Sequence, residues 1–281
     1  MNDNKIKTTK DSTGTTKLLF DSNIAKECCD YAVTHKIDII SIYPGIYTAK
    51  DLEPIIPISK YVKGLLLEDY VQYNNLNLFE NLTILSVPDN GKDTVDLNNF
   101  PYLERLSCKF SQRIRGLEFC NNLTSLSIGN FKSKTNNLST LPLINKLEQL
   151  SLFQTNISSL EGIERFNNLK QFELYSASKM ESIASLKEIS HCLLEIEIEK
   201  CKNIHDYEVL GKLKNLTKIK LIESGEIKTL AFLKNLPQLN YLFFWGTNVL
   251  DGNLKYCEGI NYVSFDNKRH YSHKSEQFKK S

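Results

Sequence analysis

The sequence lacks a strong excess of charge of either sign and lacks any long apolar run. Its 35 basic residues nearly balance its 33 acidic residues, so the composition gives no reason to expect a nucleic-acid or membrane partner. No segment approaches the roughly 18 apolar residues of a membrane span. The polar start, MNDNKIKTTKDSTGTTK, also lacks the apolar core of a signal peptide. These absences predict a cytoplasmic protein that binds neither nucleic acid nor membranes.

Paired cysteine motifs are also missing. The seven cysteines are odd in number, contain no CxxC pair and mostly stand among apolar residues. This usage is typical of buried free thiols in a reducing compartment, and it disfavours the alternative of a disulfide or metal framework.

Motifs of catalysis and cofactor binding are absent as well. The chain has no GxxxxGK[ST], GxGxxG, HExxH or GxSxG sequence. His270 and His273 have a spacing that suits two metal ligands, but they stand alone in a basic tail, where solvated histidines are the favoured interpretation. Cys28 and Cys29 have no fixed base nearby in the sequence. We therefore predict no enzymatic activity, no cofactor and no metal.

A repeated L-x-x-L-x-L pattern fills most of the chain. Clear copies are LTSLSI at Leu123, LEQLSL at Leu147 and LTKIKL at Leu216. In total eleven copies, some with Ile, Val, Phe or Cys in place of Leu, begin 20 to 25 residues apart. They start at Ile37, Val62, Leu82, Leu103, Leu123, Leu147, Leu169, Leu193, Leu216, Leu239 and Ile260.

Periods of 20–29 residues with this motif resemble the leucine-rich-repeat superfamily. Copies such as the 22-residue LEQLSLFQTNISSLEGIERFNN resemble the class found in internalins. The resemblance implies an α/β solenoid with a parallel concave β-sheet of about eleven strands and short helices or irregular turns on the convex side. The pattern agrees, because each copy alternates apolar with polar residues like a strand buried on one face.

One position departs from that family. Three residues after the last motif leucine, leucine-rich repeats usually carry Asn, and here only Asn90 fits. Serine and threonine can replace it in part, since a hydroxyl still offers a hydrogen bond. The equivalent residues elsewhere are Ser111, Phe131, Thr155, Ala177, Cys201, Ser224 and Thr247.

The segments outside the repeats suggest a simple domain organisation. We predict a disordered polar N-terminus over residues 1–17 and a helical cap over 18–36. The repeat array spans 37–268, and a polar tail follows over 269–281. The tail either lies across the last coil through Tyr271 and Phe278 or frays. Neither flank is long enough for a further folded domain.

The stretch LNYLFFWG, residues 239–246, concentrates aromatic side chains. Leu239, Leu242 and Phe244 occupy motif positions and are expected in the core. Alternation then places the intervening rings on the concave sheet, where exposed aromatics usually mark an interaction site. The alternative is that a loop or the C-terminal tail covers them. The rings concerned are Tyr241, Phe243 and Trp245.

Charged residues are predicted beside these rings, because equivalent motif positions are lateral neighbours in a parallel sheet. Such opposite charges either neutralise one another on a solvated face or form a charged rim that orients a partner. The expected pairs are Glu195 with Lys218, Glu197 with Lys220, and Lys200 with Glu223.

Glu173 and Glu199 have no opposite charge at the same position of the neighbouring copies, which makes them better candidates for contacting a partner. Phe153 and Tyr175 also face outward and extend the surface to the middle of the array. The N-terminal face carries only small residues at the equivalent position, namely Ser86, Ser107 and Ser127.

These patterns favour a protein–protein interaction module that is monomeric when unbound and binds a partner on its concave face. Binding would occlude or inhibit the partner. The bacterial leucine-rich-repeat proteins that this sequence resembles include immunity proteins, which neutralise a toxin by covering it. The alternative is a structural scaffold or self-associating adaptor with no inhibitory role. The predicted partner-binding residues are Tyr241, Phe243, Trp245, Phe153, Tyr175, Glu173, Glu197, Glu199 and Lys220.

Overall fold

The computed structural model describes residues 6–11 and 13–278. It divides into two compact units, residues 1–126 and 127–281. Regular structure consists mainly of short strands. In the first unit they are β1 (Lys7–Lys10), β2 (Thr16–Leu19), β3 (Ile39–Ser41), β4 (Gly64–Leu66), β5 (Ile84–Val87), β6 (Val95–Asp96), β7 (Arg105–Lys109) and β8 (Ile114–Arg115).

The remaining strands are grouped with the second unit, although the first two residues of β9 belong to the first. They are β9 (Ser125–Gly129), β10 (Gln149–Phe153), β11 (Gln171–Tyr175), β12 (Glu195–Glu199), β13 (Lys218–Ile222), β14 (Glu226–Ile227), β15 (Tyr241–Trp245), β16 (Asn248–Val249) and β17 (Tyr262–Phe265).

Helices are short apart from one α-helix, α1 (Ala25–Thr34). All the others are 3-10 helices. They span Ser22–Ile24, Glu53–Ile58, Leu76–Leu78, Leu97–Asn99, Leu117–Phe119, Ile163–Arg165, Ala184–Ile189, Tyr207–Lys212, Ala231–Asn235, Leu254–Cys257 and Ser275–Phe278.

Every one of the eleven motif copies contains a strand, which confirms the predicted repeat. In the first unit β2, β3, β4, β5 and β7 pair in parallel in that order. In the second unit β10, β11, β12, β13, β15 and β17 do the same. The fold is an α/β leucine-rich-repeat solenoid, while membership of the 22-residue class stays a prediction.

Residue spacing explains why the segments returning from strand to strand form 3-10 helices. In one of them Leu230, Leu233, Leu236 and Leu239 recur at every third residue, and all four are buried. A 3-10 helix has three residues per turn, so residues at i and i+3 lie on one face. The apolar edge of each return segment therefore faces the same core as the strands.

Hydrogen bonds from an Asn-Leu-Thr sequence that occurs in three copies join those coils to the preceding ones. Asn215 Nδ2 donates to the carbonyl of His191 at 2.9 Å, and Thr217 Oγ1 donates to Leu194 at 3.1 Å. Asn122 repeats the first contact with Pro101 at 3.0 Å. Because these donors satisfy carbonyls between coils, the triplet recurs for a structural reason.

Hydroxyl groups replace the family's usual asparagine, as the sequence predicted. Thr155 Oγ1 donates to the Phe131 carbonyl at 2.9 Å, and Thr247 Oγ1 donates to the Leu221 carbonyl at 3.0 Å. Asn90 also donates to the preceding coil, through its side-chain amide to the Val71 carbonyl at 3.0 Å. These side chains satisfy buried backbone groups where strands end.

Strands of the second unit end in a left-handed residue. Gln154, Ser176, Lys200 and Glu223 follow their strands at φ between +47° and +55°. The backbone N–H of each donates to the next coil, for example from Glu223 to the Trp245 carbonyl at 2.7 Å. The turn costs conformational energy in non-glycine residues, and the hydrogen bond helps to offset it.

The prediction of disorder over residues 1–17 is wrong for the described part of that segment, whereas residues 1–5 and 12 lie outside the described residues. Strand β1 pairs antiparallel with β2. Asp11 caps the turn, with its Oδ1 accepting from the Thr13 and Thr15 backbone amides at 2.9 and 3.0 Å. Strand β2 pairs in turn with β3 and buries Leu18. Composition missed this hairpin because one buried leucine and one turn organise an otherwise polar segment.

The predicted cap helix is present as α1. It buries Cys28, Cys29 and Ala32, whereas His35 is exposed and stacks on Tyr31. Cys29 Sγ donates to the Pro54 carbonyl at 3.7 Å, which places the helix against the Glu53–Ile58 return segment.

The described part of the C-terminal tail packs on the last coil, the first of the two alternatives considered. Tyr271 and Phe278 both contact Phe265 edge-on, with ring centroids 5.8 and 5.9 Å apart. The Ser275 hydroxyl accepts from the Phe265 backbone amide at 3.3 Å. The tail therefore covers the core-facing side of β17 at Phe265.

Candidate functional site

Side chains of the second unit's parallel sheet that do not enter the core form what we call the open face. At β15 the alternation is as predicted. Leu242 and Phe244 are buried, Tyr241 and Phe243 are half-buried, and Trp245 is 51% exposed. The predicted aromatic residues thus share one face.

Two pairs of rings on the open face stack on each other. Phe153 and Tyr175 lie with centroids 4.6 Å apart and planes 6° from parallel. Tyr241 and Tyr262 are 4.5 Å apart at 9°. Each pair occupies adjacent strands in register, so the stacking follows directly from the repeat. Trp245 stacks on no other ring among the described residues and instead neighbours Ile222 in register.

Ion pairs fill the face between these rings. Lys218 Nζ lies 2.9 Å from Glu195, and Lys220 Nζ lies 2.8 Å from Glu197. The Glu197 carboxylate accepts a hydrogen bond from Lys220 and raises the pKa of that ammonium group. Both predicted pairs are therefore formed, and within each pair the lysine of β13 neutralises the glutamate of β12.

The third predicted pair, Lys200 with Glu223, is wrong. Lys200 Nζ instead binds Glu199, which it follows in the chain, at 3.1 Å. Lys200 and Glu223 both adopt the left-handed conformation that follows each strand, so the strand alternation used for the prediction does not extend to them. Glu199 does lack an opposite charge at its own position, but Lys200 compensates it within the coil.

Glu173 has Ser151 and Glu197 as its lateral neighbours, as predicted. Its carboxylate accepts from the Ser151 hydroxyl and from the Gln171 amide, each at 2.6 Å. Neutral donors therefore occupy it, whereas no cation lies at the same position on either side.

Burial raises the pKa of the Tyr175 phenol, and the nearby Glu173 and Glu197 carboxylates raise it further. The phenol remains protonated near neutral pH and acts as a hydrogen-bond donor beside two carboxylates. This group joins the stacked rings to the charged part of the open face.

Two outward residues were missed by the sequence analysis. Tyr262 is 46% exposed and stacks on Tyr241, and its position in the INYVSF copy could have revealed it. Ile222 is half-buried between Glu199 and Trp245 in register. It follows the last motif leucine of its copy, directly beside the position of Trp245.

The described tail does not cover Trp245, which answers the alternative raised for this patch. Tyr271 instead reaches the Val249 backbone amide, which donates to its hydroxyl at 3.0 Å. His270 contacts the Val249 carbonyl at 2.9 Å. The aromatic residues of the open face stay accessible.

Burial raises the pKa of several thiols, for example to about 11 for Cys29 and Cys201 and to about 12 for Cys257. Among the described residues, no group of three His, Cys, Asp or Glu side chains is placed to hold a metal ion. In the same part of the chain, no helix has the length and hydrophobicity to cross a bilayer.

The chain matches no protein-family model and no curated protein. It is similar in structure to the internalin InlF of Listeria monocytogenes, at 16% identity and a TM-score of 0.49, over 93% of this chain and 94% of that one. It is similar to the functional domain of InlJ from the same organism, at 16% identity and a TM-score of 0.46, over 81% of this chain and 58% of that one. A leucine-rich-repeat protein of Leptospira interrogans gives 16% identity and a TM-score of 0.39, over 81% and 70%.

Proposed function

We propose that the protein binds a partner protein on the open face of its second unit and has no catalytic activity of its own. The aromatic group of β15 is the anchor, and the rings of β10 and β11 extend the contact surface. Charged residues between them complete it. The residues proposed to contact the partner are Tyr241, Phe243, Trp245, Phe153, Tyr175, Glu173, Glu197, Glu199 and Lys220.

One observation carries this proposal. Trp245 is 51% exposed, whereas Tyr241 and Phe243, the other outward residues of β15, are half-buried. Each aromatic side chain offers roughly 150–250 Å² of surface, and tryptophan and tyrosine are enriched among residues that dominate binding energy. A solvated tryptophan beside other partly exposed rings is typical of an interaction site.

Affinity purification tests the proposal. Tagged wild-type protein and Trp245→Ala are used as baits, bound proteins are identified by mass spectrometry, and candidates are purified for calorimetry. We expect a partner that binds the wild type and loses at least about tenfold in affinity with Trp245→Ala. Phe119, 59% exposed and outside the open face, supplies Phe119→Ala as the matched control. Equal binding by all three proteins would reject the site.

We further propose that binding occludes the partner, as an inhibitor or immunity protein would. Support comes from the continuity of the open face over β10–β17, which suits a large contact area. The test is the partner's own activity, which should fall in proportion to the fraction bound. A partner that stays fully active in the complex would contradict the inhibitory role.

Self-association is the second candidate function, since exposed apolar residues can also contact another copy of the chain. The exposed Trp245 and Tyr262 are the observation that favours it. Light scattering over a range of protein concentrations separates the two: a constant monomer mass supports the partner-binding proposal, and a mass that rises with concentration and falls with Trp245→Ala supports the scaffold.

A cytoplasmic location is part of the same proposal. All seven cysteines are free and most are buried, and free thiols of this kind are typical of reducing compartments. Labelling thiols in denatured protein from whole cells should find all seven reduced.

A further inference from the structure

Exposed rings of the open face fall into two clusters. The first cluster is Phe153 and Tyr175, at the ends of β10 and β11. The second cluster is Tyr241, Phe243 and Trp245 of β15 with Tyr262 of β17. Strands β12 and β13 lie between them and carry no outward aromatic residue.

Strand register sets the separation of the clusters. Phe153, Tyr175, Glu199, Ile222 and Trp245 follow one another along a single row of the sheet. Neighbouring strands lie about 4.8 Å apart, so Tyr175 and Trp245 are separated by about 14 Å and Phe153 and Trp245 by about 19 Å. A partner that fills both clusters must span this distance.

The surface between the clusters is already electrostatically satisfied. Glu195 pairs with Lys218, and Glu197 pairs with Lys220 with side chains only 16% and 27% exposed. A partner that brought a strong charge to this band would have to break an existing pair or leave its own charge unpaired. The band therefore fits a neutral polar surface better than an acidic or basic one.

Stacking restricts what the rings can bind. Phe153 and Tyr175 cover one face of each other, as do Tyr241 and Tyr262. Lys218 lies over the Tyr241 ring at 5.9 Å from its centroid. Tyr241 is therefore covered on both faces, whereas Trp245 stacks on no ring among the described residues and has the aliphatic Ile222 beside it in register. An aliphatic group of the partner can pack against Trp245 and Ile222 together, and against the uncovered part of Phe153, without bringing a charge to the face.

We propose that the partner presents two aliphatic groups about 14–19 Å apart, joined by a neutral polar segment, and that both clusters bind them together. This inference rests on the proposed function and adds the chemistry of the partner. The first cluster binds one group beside Phe153, and the second cluster binds the other beside Trp245.

A displayed library of random peptides of about 16 residues is a suitable probe, since about six extended residues already span 19 Å. Selection is carried out against the wild-type protein. Enriched peptides are synthesised, and their affinities are measured for wild type, Trp245→Ala, Phe153→Ala and the control Phe119→Ala. Circular dichroism verifies that every variant is folded.

We expect enriched peptides with two aliphatic residues about four to six positions apart and few charges between them. Both Trp245→Ala and Phe153→Ala should weaken binding at least about tenfold, while Phe119→Ala leaves it unchanged. Affinity should vary less than about threefold between low and high salt, because no net charge is neutralised.

The outcomes separate the two proposals. Peptides that depend on Trp245 but not on Phe153, or that are strongly basic, acidic or salt-sensitive, would overturn the two-cluster inference and leave the proposed function standing. Peptides that bind regardless of Trp245, or an absence of enrichment, would count against both.

Discussion

The two units have the same kind of apolar interior, but the outward faces of their sheets differ. In the first unit β5 and β7 bury Leu85 and Leu106, as β15 buries Leu242 and Phe244 in the second. Outward, however, β5 and β7 align Ser86 with Ser107. The second unit places aromatic rings and ion pairs at such positions.

The difference shows what the repeat motif constrains. Only the inward residues must be apolar, because stacked coils share a continuous core. Outward residues contribute little to stability and are free to vary. Aromatic residues that stack on adjacent strands of one sheet, as Phe153 does on Tyr175 and Tyr241 on Tyr262, therefore indicate a local function.

Strand ends differ between the units as well. Strands β5 and β7 are followed by Pro88 and Phe110, and neither has a positive φ. In the second unit the left-handed turn recurs from coil to coil. The more regular unit is thus the one that carries the candidate binding residues.

The largest expected effects test whether buried side chains stabilise the two units to a similar extent. Phe244→Ala should lower the free energy of unfolding by about 3–5 kcal/mol, and Leu85→Ala in the first unit by about 2–5 kcal/mol, because each leaves a cavity among buried side chains. Urea denaturation followed by circular dichroism measures both. A loss below about 1 kcal/mol at either site would break the comparison.

The next effect concerns the open faces. Trp245→Ala should lower partner affinity at least about tenfold, or about 1.4 kcal/mol. The free energy of unfolding of this variant should change by less than about 0.5 kcal/mol. Ser107→Ala on the first unit's face should change neither. Calorimetric titration with the purified partner checks this, and a comparable loss with Ser107→Ala would place binding on both faces.

Two lysines, one from each unit, test whether the left-handed turn at the strand ends is strained. Lys109 lies in β7, so Lys109→Gly should destabilise the protein by about 0.5–1 kcal/mol through backbone entropy. Lys200 has φ +55°, where glycine avoids the strain of about 1–2 kcal/mol, so Lys200→Gly should be neutral or stabilising. Equal destabilisation would mean that the left-handed turn is unstrained.

The smallest effect is electrostatic. Glu197 raises the pKa of Lys220 above its usual value of about 10.4 in the unfolded chain. The stabilisation is therefore complete below that pH and is lost as the pH rises through the raised pKa. Wild type should lose up to about 1 kcal/mol more than Lys220→Gln between pH 9 and 12. Paired urea titrations measure the difference, which parallel curves would disprove.

Periodicity made most of the fold predictable. The spacing of the motif placed a strand in each of the eleven copies, and alternation put Phe244 inside and Trp245 outside. Both depend on geometry that repeats every coil. The same geometry predicted the pairing of Glu197 with Lys220.

Features outside the alternation were less predictable. The partner of Lys200 was predicted wrongly, because a left-handed turn of non-glycine residues has no clear sequence signal. The β1–β2 hairpin was missed because its pairing depends on one buried leucine, Leu18, meeting Ile40 of the first repeat. Stacking of Tyr241 on Tyr262 depends on rotamers that the sequence does not specify.

The contacts of the Asn-Leu-Thr triplets suggest how such a protein can grow. Asn122 and Asn215 each donate to the preceding coil, and to the same backbone position of it. In a duplicated coil inserted after its parent, the asparagine would donate to the equivalent carbonyl of the parent coil. Gene duplication therefore lengthens the sheet by whole coils, with each broken hydrogen bond between coils replaced by an equivalent one.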